Sequence, residues 1–207
     1  MDPADAADAI GEAIEEDEQA GKEADERFRR WVAIAIGVLA MLLAITGLGG
    51  DDAASAVVNS NIEASDTYAF YQAKNIRQTN NRLAGDELEI MLLSVPNLST
   101  EARQAIERRR DSYRAQEARL ESEPETGEGK RELLAKAAEL VQQRERAQRQ
   151  DPNFDYAQAL LQIAIVLASV SIVATSRPLF ALSLLLGTVA ALLTVNGFAL
   201  LVPLPFG

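Results

Sequence analysis

Side-chain catalysis draws on a short list of groups, and two of the most versatile are missing here: the 207 residues include no Cys and no His. That excludes thiolate and imidazole metal sites, Ser-His and Cys-His nucleophile pairs and structural disulfides. Carboxylates such as Glu63 and Asp66 remain, but acid/base chemistry wants a concave pocket, and a thin helical hairpin offers none. No catalytic residue, metal or cofactor is therefore assigned, and an enzyme is not expected. What stands out instead is a recognition feature. In NIEASDTYAFYQAKNIRQ (61–78) three aromatics, Tyr68, Phe70 and Tyr71, fall within four positions of an otherwise polar helix former. A membrane, a partner chain or a ligand must cover them.

The elements that position this stretch follow from the apolar blocks. The run WVAIAIGVLAMLLAITGL (31–48) carries no charge, and from Ala157 to the C-terminus Arg177 is the only one. The turn TSRP splits the second block. At 1.5 Å per residue each run covers about 27–35 Å, enough to cross a bilayer core. The sequence predicts an all-α membrane protein: an acidic tail over 1–30, three transmembrane helices at 31–48, 151–175 and 179–201, and a long helical hairpin stalk over 51–150 inserted between spans one and two. The acidic residues ahead of the first run and its length favour an uncleaved signal anchor over a cleaved signal peptide.

Arg27, Arg29 and Arg30 precede the first span and Arg177 lies between the last two, whereas GGDDAASAVV carries no base. The positive-inside rule then places the N-terminus in the cytoplasm and the stalk outside it. Net charge is −11, and residues 1–30 hold eleven acids against four bases. This balance disfavours nucleic acid. The bases of RRRDSYRAQEARL (108–120) are interleaved with acids and read as a solvated face. Ile10 and Ile14 make a strip too short to dock the tail firmly.

Within the stalk, SVPNLST breaks the helix at Pro96 and Ser99 caps the restart. ESEPETGEG breaks it again at 121–129, and DPNFD reads as Asp151 at an N-cap with Pro152 at the first helical position. Arms of matched length place the hairpin tip near Pro96, about 65 Å from the membrane. Ile62, Ala69, Ile76, Leu83 and Ile90 recur every seven residues, the period of a left-handed supercoil. Taken as a positions, they make a seam for the return arm to cover, with Ser65, Gln72, Thr79 and Asp86 at d. Phe70 and Tyr71 then fall at b and c, on a face with Val57 and Ala64 that needs a second neighbour. A second copy of the chain is the economical choice.

Two blocks, NIEASDTYAFYQAKNIRQ after the first span and FDYAQALLQIAIVLASVSIVA opening the second, resemble a bacterial family of three-span proteins known as domain of unknown function 4337. The match rests on Ala64, Ser65, Asp66, Tyr68, Tyr71, Gln72, Ala73 and Lys74 and covers roughly residues 30–200. It implies a bacterial inner-membrane protein with a long helical insertion, and carries over no activity, cofactor or catalytic residue. The expected function is an oligomeric scaffold or accessory subunit assembling through stalk and spans, bound to membrane lipid and able to join a larger membrane complex. Small residues suited to close helix contact, Gly37, Ala164, Ala168, Gly187 and Ala191, favour it. The alternative is a channel or transporter component with Gln162, Ser169, Ser171, Thr188 and Asn196 lining a pore. Against it, the spans hold no acid.

Overall fold

The computed structural model describes the backbone of residues 3–203 and the side chains of residues 21–203. Ile10, Ile14 and the chain end beyond Pro203 lie outside the described side chains. Among the described residues the only extended regular elements are four helices: α1 (Pro3–Ser94), α2 (Thr100–Glu121), α3 (Lys130–Val173) and α4 (Arg177–Ala199). α1, α3 and α4 are each long and apolar enough to cross a membrane. The chain divides into two compact units, Met1–Ala54 with Gln148–Gly207 and Ser55–Ala147. α1 and α3 contribute to both.

The first unit packs small side chains inward and large ones outward. Leu39, Ala157, Leu161, Ala164 and Ala190 form its buried cluster. Hydroxyls fill the rest: Thr46 and Thr194 share a hydrogen bond of 2.8 Å, and Ser183 donates to the Ala164 carbonyl at 2.7 Å. Burial without a partner would cost each hydroxyl roughly 1–3 kcal/mol, which these bonds avoid. At one end Phe154 is almost fully buried and meets Phe198 edge-on, with ring centroids 4.9 Å apart. Gly49 and Gly197 make this possible. A Cβ on Gly49 would come within 2.6 Å of the Phe154 ring, and one on Gly197 within 2.7 Å. Glycine inside a helix costs about 1 kcal/mol against alanine, and here it opens the seat for a large buried ring.

Pro152 does not start a helix, contrary to the expectation from DPNFD; α3 runs through it without a break. A proline ring displaces the carbonyl four residues back and removes one hydrogen bond. Beside that gap the Asn153 side chain donates to the Arg149 carbonyl at 2.9 Å, while Phe154 anchors the next position. Gly49 and Gly50 likewise leave α1 continuous.

The second unit keeps its helix breaks where proline, serine and glycine place them. α1 ends at Ser94, and Ser99 caps α2 by accepting from the Ala102 amide at 3.1 Å. Between α2 and α3, Gly127 takes φ +71°, a left-handed conformation that suits glycine. Glu132 closes this loop by accepting from the Ser122 hydroxyl at 2.6 Å and the Glu123 amide at 3.2 Å.

Candidate interaction faces of the hairpin

The inward face of the second unit has a seven-residue rhythm. Along α1, Ser60, Thr67 and Lys74 are buried at this spacing. A second row joins them: Ala64 and Gly85 buried, Val57, Tyr71, Gln78 and Leu92 half-buried. The return arm offers Leu133, Ala137, Leu140 and Ala147 from α3. Half-buried Arg144 completes this row, its Nη1 donating to the Asn61 side chain at 3.2 Å.

α2 buries no residue. Its contacts are polar instead. Arg114 donates to Asp86 at 2.6 Å and Glu89 at 3.1 Å on α1, and to Glu117 on its own helix at 3.3 Å. The sequence reading of 108–120 as a solvated face therefore misses Arg114, which turns toward α1 because two carboxylates wait there. Gln78 bridges to the Glu121 carboxylate at 2.9 Å and accepts from Lys130 at 2.6 Å. The Gln78 amide, followed by Lys130 and Arg131, holds the Glu121 carboxyl below its usual range, against an opposing push from burial. Ser122 does the same for Glu132.

The aromatics sit at this junction. Lys74 lies 5.1 Å above the Phe70 ring and 3.4 Å from Glu128, and Lys130 lies 5.6 Å above Tyr71. Cation–π contacts of this kind contribute about 0.5–1 kcal/mol at exposed sites and more where water is excluded. Lys74, only 7% exposed, is the residue most deeply drawn in. Tyr68 remains exposed.

This arrangement reverses the expected assignment of faces. The return arm covers the Val57, Ala64 and Tyr71 side, not the row of Ile62, Ala69, Ile76, Leu83 and Ile90. That row stays open, with Ile62 53%, Ile76 61%, Leu83 54% and Ile90 63% exposed. The covered side is the one with polar partners: Glu121, Glu128 and Lys130 meet Gln78 and Lys74 there, and Arg144 meets Asn61. With the buried rows assigned to a and d, the open row occupies f, the position farthest from the seam. From Ile62 to Ile90 it extends about 42 Å along the axis.

The remaining candidates do not converge on a reaction centre. Glu63 and Asp66 are exposed and do not line the open polar cleft of about 540 Å³ beside the α2–α3 loop. In that cleft Lys74 pairs with Glu128 and Arg119 with Glu123, so most of its charge is internally compensated. No group of acidic residues able to hold a metal occurs among the described residues. In the first unit Ser169, Ser171 and Thr188 bond to carbonyls of their own helices, and Asn196 donates to Asn153 at 2.7 Å. Ala164, Ala168 and Gly187 are buried within one chain.

The family model described as Domain of unknown function (DUF4337) matches residues 28–200, which takes in both units and both sequence blocks singled out above. No match was found among the curated proteins or among the solved structures.

Proposed function

The chain belongs to the DUF4337 family, and on that premise we propose that it is an oligomeric membrane scaffold or accessory subunit whose copies join along the open f row of the hairpin. Three helices cross the bilayer, and the hairpin is a coiled-coil stalk outside it. The basic flanks at Arg27 to Arg30 and at Arg177 favour an N-terminus in the cytoplasm and a stalk on the far side of a bacterial inner membrane.

The observation that carries this reading is the row Ile62, Ala69, Ile76, Leu83 and Ile90. Its large members are more than half exposed in one chain, and complete burial of each is worth up to about 1.5–3 kcal/mol. Copies inserted in one membrane share an orientation, so a two-fold axis normal to the bilayer sets like residues opposite each other. The strict seven-residue spacing keeps such a row in register over its whole length. Between the apolar layers lie Ser65, Gln72, Ala73, Thr79 and Asn80, uncharged residues that a homomeric contact tolerates, together with the acids Asp66, Asp86 and Glu87, of which Asp86 is paired with Arg114. No nucleic-acid partner is proposed for a chain of net charge −11.

The test is a native mass measurement in mild detergent on the wild type and on an Ile62→Ser, Ile76→Ser, Leu83→Ser variant. The wild type is expected as a defined homo-oligomer and the variant as a monomer of unchanged helicity. An oligomer unaffected by the three substitutions defeats the stalk interface. Reporters fused at the two chain ends are expected on opposite sides of the membrane; both in the cytoplasm contradicts three spans.

A further inference from the structure

An apolar groove of about 490 Å³ runs along the first unit between α1 and α4. Its α1 wall extends from Trp31 to Leu42 and its α4 wall from Phe180 to Ala191. Each wall is about 16 Å long, close to one leaflet of a hydrocarbon core roughly 30 Å thick. Gly187, Thr188 and Ala191 keep the α4 side shallow enough to admit an unbranched chain.

The two ends of this groove differ. Phe28 on α1 and Phe180 on α4 meet edge-on, with ring centroids 5.7 Å apart, at the end where both helices carry arginine. Arg27, Arg29 and Arg30 fall within the turn before Trp31, and Arg177 begins α4. Arg27 donates to the Glu23 carbonyl. Arg29, Arg30 and Arg177 are exposed and have no ion-pair or hydrogen-bond partner among the described residues. The acids Glu23, Asp25 and Glu26 stand farther from the apolar wall along α1. Trp31, 67% exposed, marks the boundary between the cationic mouth and the groove. Tryptophan favours this interfacial depth.

We propose that this groove binds one anionic phospholipid, its acyl chain lying between α1 and α4 and its phosphate held by Arg30, one turn before Ile34 on the same face of α1, and Arg177. A groove meant for a partner helix needs no charge at its mouth. A groove filled by bulk lipid alone leaves Arg30 and Arg177 without a partner at one end. Head-group phosphate satisfies both the charge and the guanidinium donors. The inference rests on the membrane reading of the three apolar helices and is independent of how the stalk assembles.

The chain contains a single tryptophan, so its fluorescence reports this mouth alone. The full-length protein is reconstituted in vesicles of phosphatidylcholine with a fixed fraction of lipid brominated high in the acyl chain, either phosphatidylglycerol or phosphatidylcholine. Flotation of the protein with the vesicles checks insertion separately; failure to float rejects the membrane reading itself. In floated protein, Trp31 quenching is expected at a roughly 25-fold lower fraction of brominated phosphatidylglycerol than of brominated phosphatidylcholine, fivefold for each of the two arginines engaged. Arg30→Gln with Arg177→Gln should abolish the preference without reducing flotation, while Arg29→Gln alone, on another face of α1, should leave it in place. Ala35→Leu with Ala191→Leu, which fills the groove and leaves every charge, should abolish it as well. Equal quenching by the two lipids overturns the proposal, as does quenching by neither, which means that protein covers the groove.

Discussion

Both units leave large apolar side chains uncovered, but the two sets differ in pattern. In the first unit Trp31, Ile34, Val38, Met41, Ile163, Val166, Leu185 and Leu192 are exposed on several sides, around an interior that joins alanine, serine, threonine and glycine to a few large residues, Val32, Leu39, Phe154 and Leu161. Such an inverted distribution is stable only where the surroundings are as apolar as the surface, as lipid is. In the second unit Ile62, Ile76, Leu83 and Ile90 share one row of α1 flanked by polar and charged residues, while Val58, Tyr68, Phe70, Met91 and Leu93 are exposed off it. A row of this kind in a polar surface suits the proposed partner with a matching row better than lipid. Exposure alone therefore does not identify an environment; its distribution around the helix does.

Five substitutions, the last read against pH, sharpen this contrast. The largest effect is expected from Phe154→Ala, which empties the seat between Gly49 and Gly197. A loss of about 3–5 kcal/mol, measured by denaturing-detergent titration, should leave the proposed oligomer interface untouched. Next, Leu140→Ala in the buried hairpin seam should cost about 2–5 kcal/mol by thermal loss of helicity. Ile76→Ala on the open row should change single-chain stability by no more than about 0.5 kcal/mol. Equal costs at Leu140 and Ile76 would mean that both rows are closed within one chain.

Lys74→Met keeps the aliphatic stem but removes the pairing with Glu128 and the charge above Phe70. A destabilisation near 1 kcal/mol is expected, because Glu128 is largely exposed and the pair is partly screened. The smallest effect concerns pH. Glu121 titrates below its unfolded value because Gln78 and Lys130 favour the charged form. Its contribution is therefore complete above the usual carboxylate pKa and is lost as pH falls through the lowered folded value. Glu121→Gln should flatten this part of the acid-unfolding profile of the hairpin and change nothing at neutral pH that depends on proton uptake.

The apolar runs, the breaks at Pro96 and 121–129, and the Ser99 cap are all legible in the sequence, because hydropathy and backbone chemistry act locally. The seven-residue period is legible too, yet its phase is not. Apolarity points to Ile62, Ala69 and Ile76, whereas the buried row is Ser60, Thr67 and Lys74. The partners that go with this phase, Glu128 for Lys74 and Lys130 for Gln78, come from the return arm, which is a tertiary fact. Pro152 misleads for a similar reason. Its local preference for a helix start yields to the anchoring of Asn153 and Phe154 on either side of the seam. The role of the aromatic pair as supports for Lys74 and Lys130 depends on Glu121 and Glu128, some fifty residues away, and no short-range signal announces it.

The absence of cysteine makes the central claim directly accessible, since any introduced thiol is the only one in its chain. Single variants Ile76→Cys and Thr67→Cys, inserted in vesicles and mildly oxidised, compare the open row with the buried seam. Across a two-fold axis the Ile76 positions come close enough for a disulfide, which needs Cα atoms about 4.4–6.8 Å apart. The account predicts rapid conversion of the Ile76→Cys chain to a covalent dimer while the Thr67→Cys chain stays monomeric. Cross-linking at Thr67 with none at Ile76 would place the interface on the other face and contradict it.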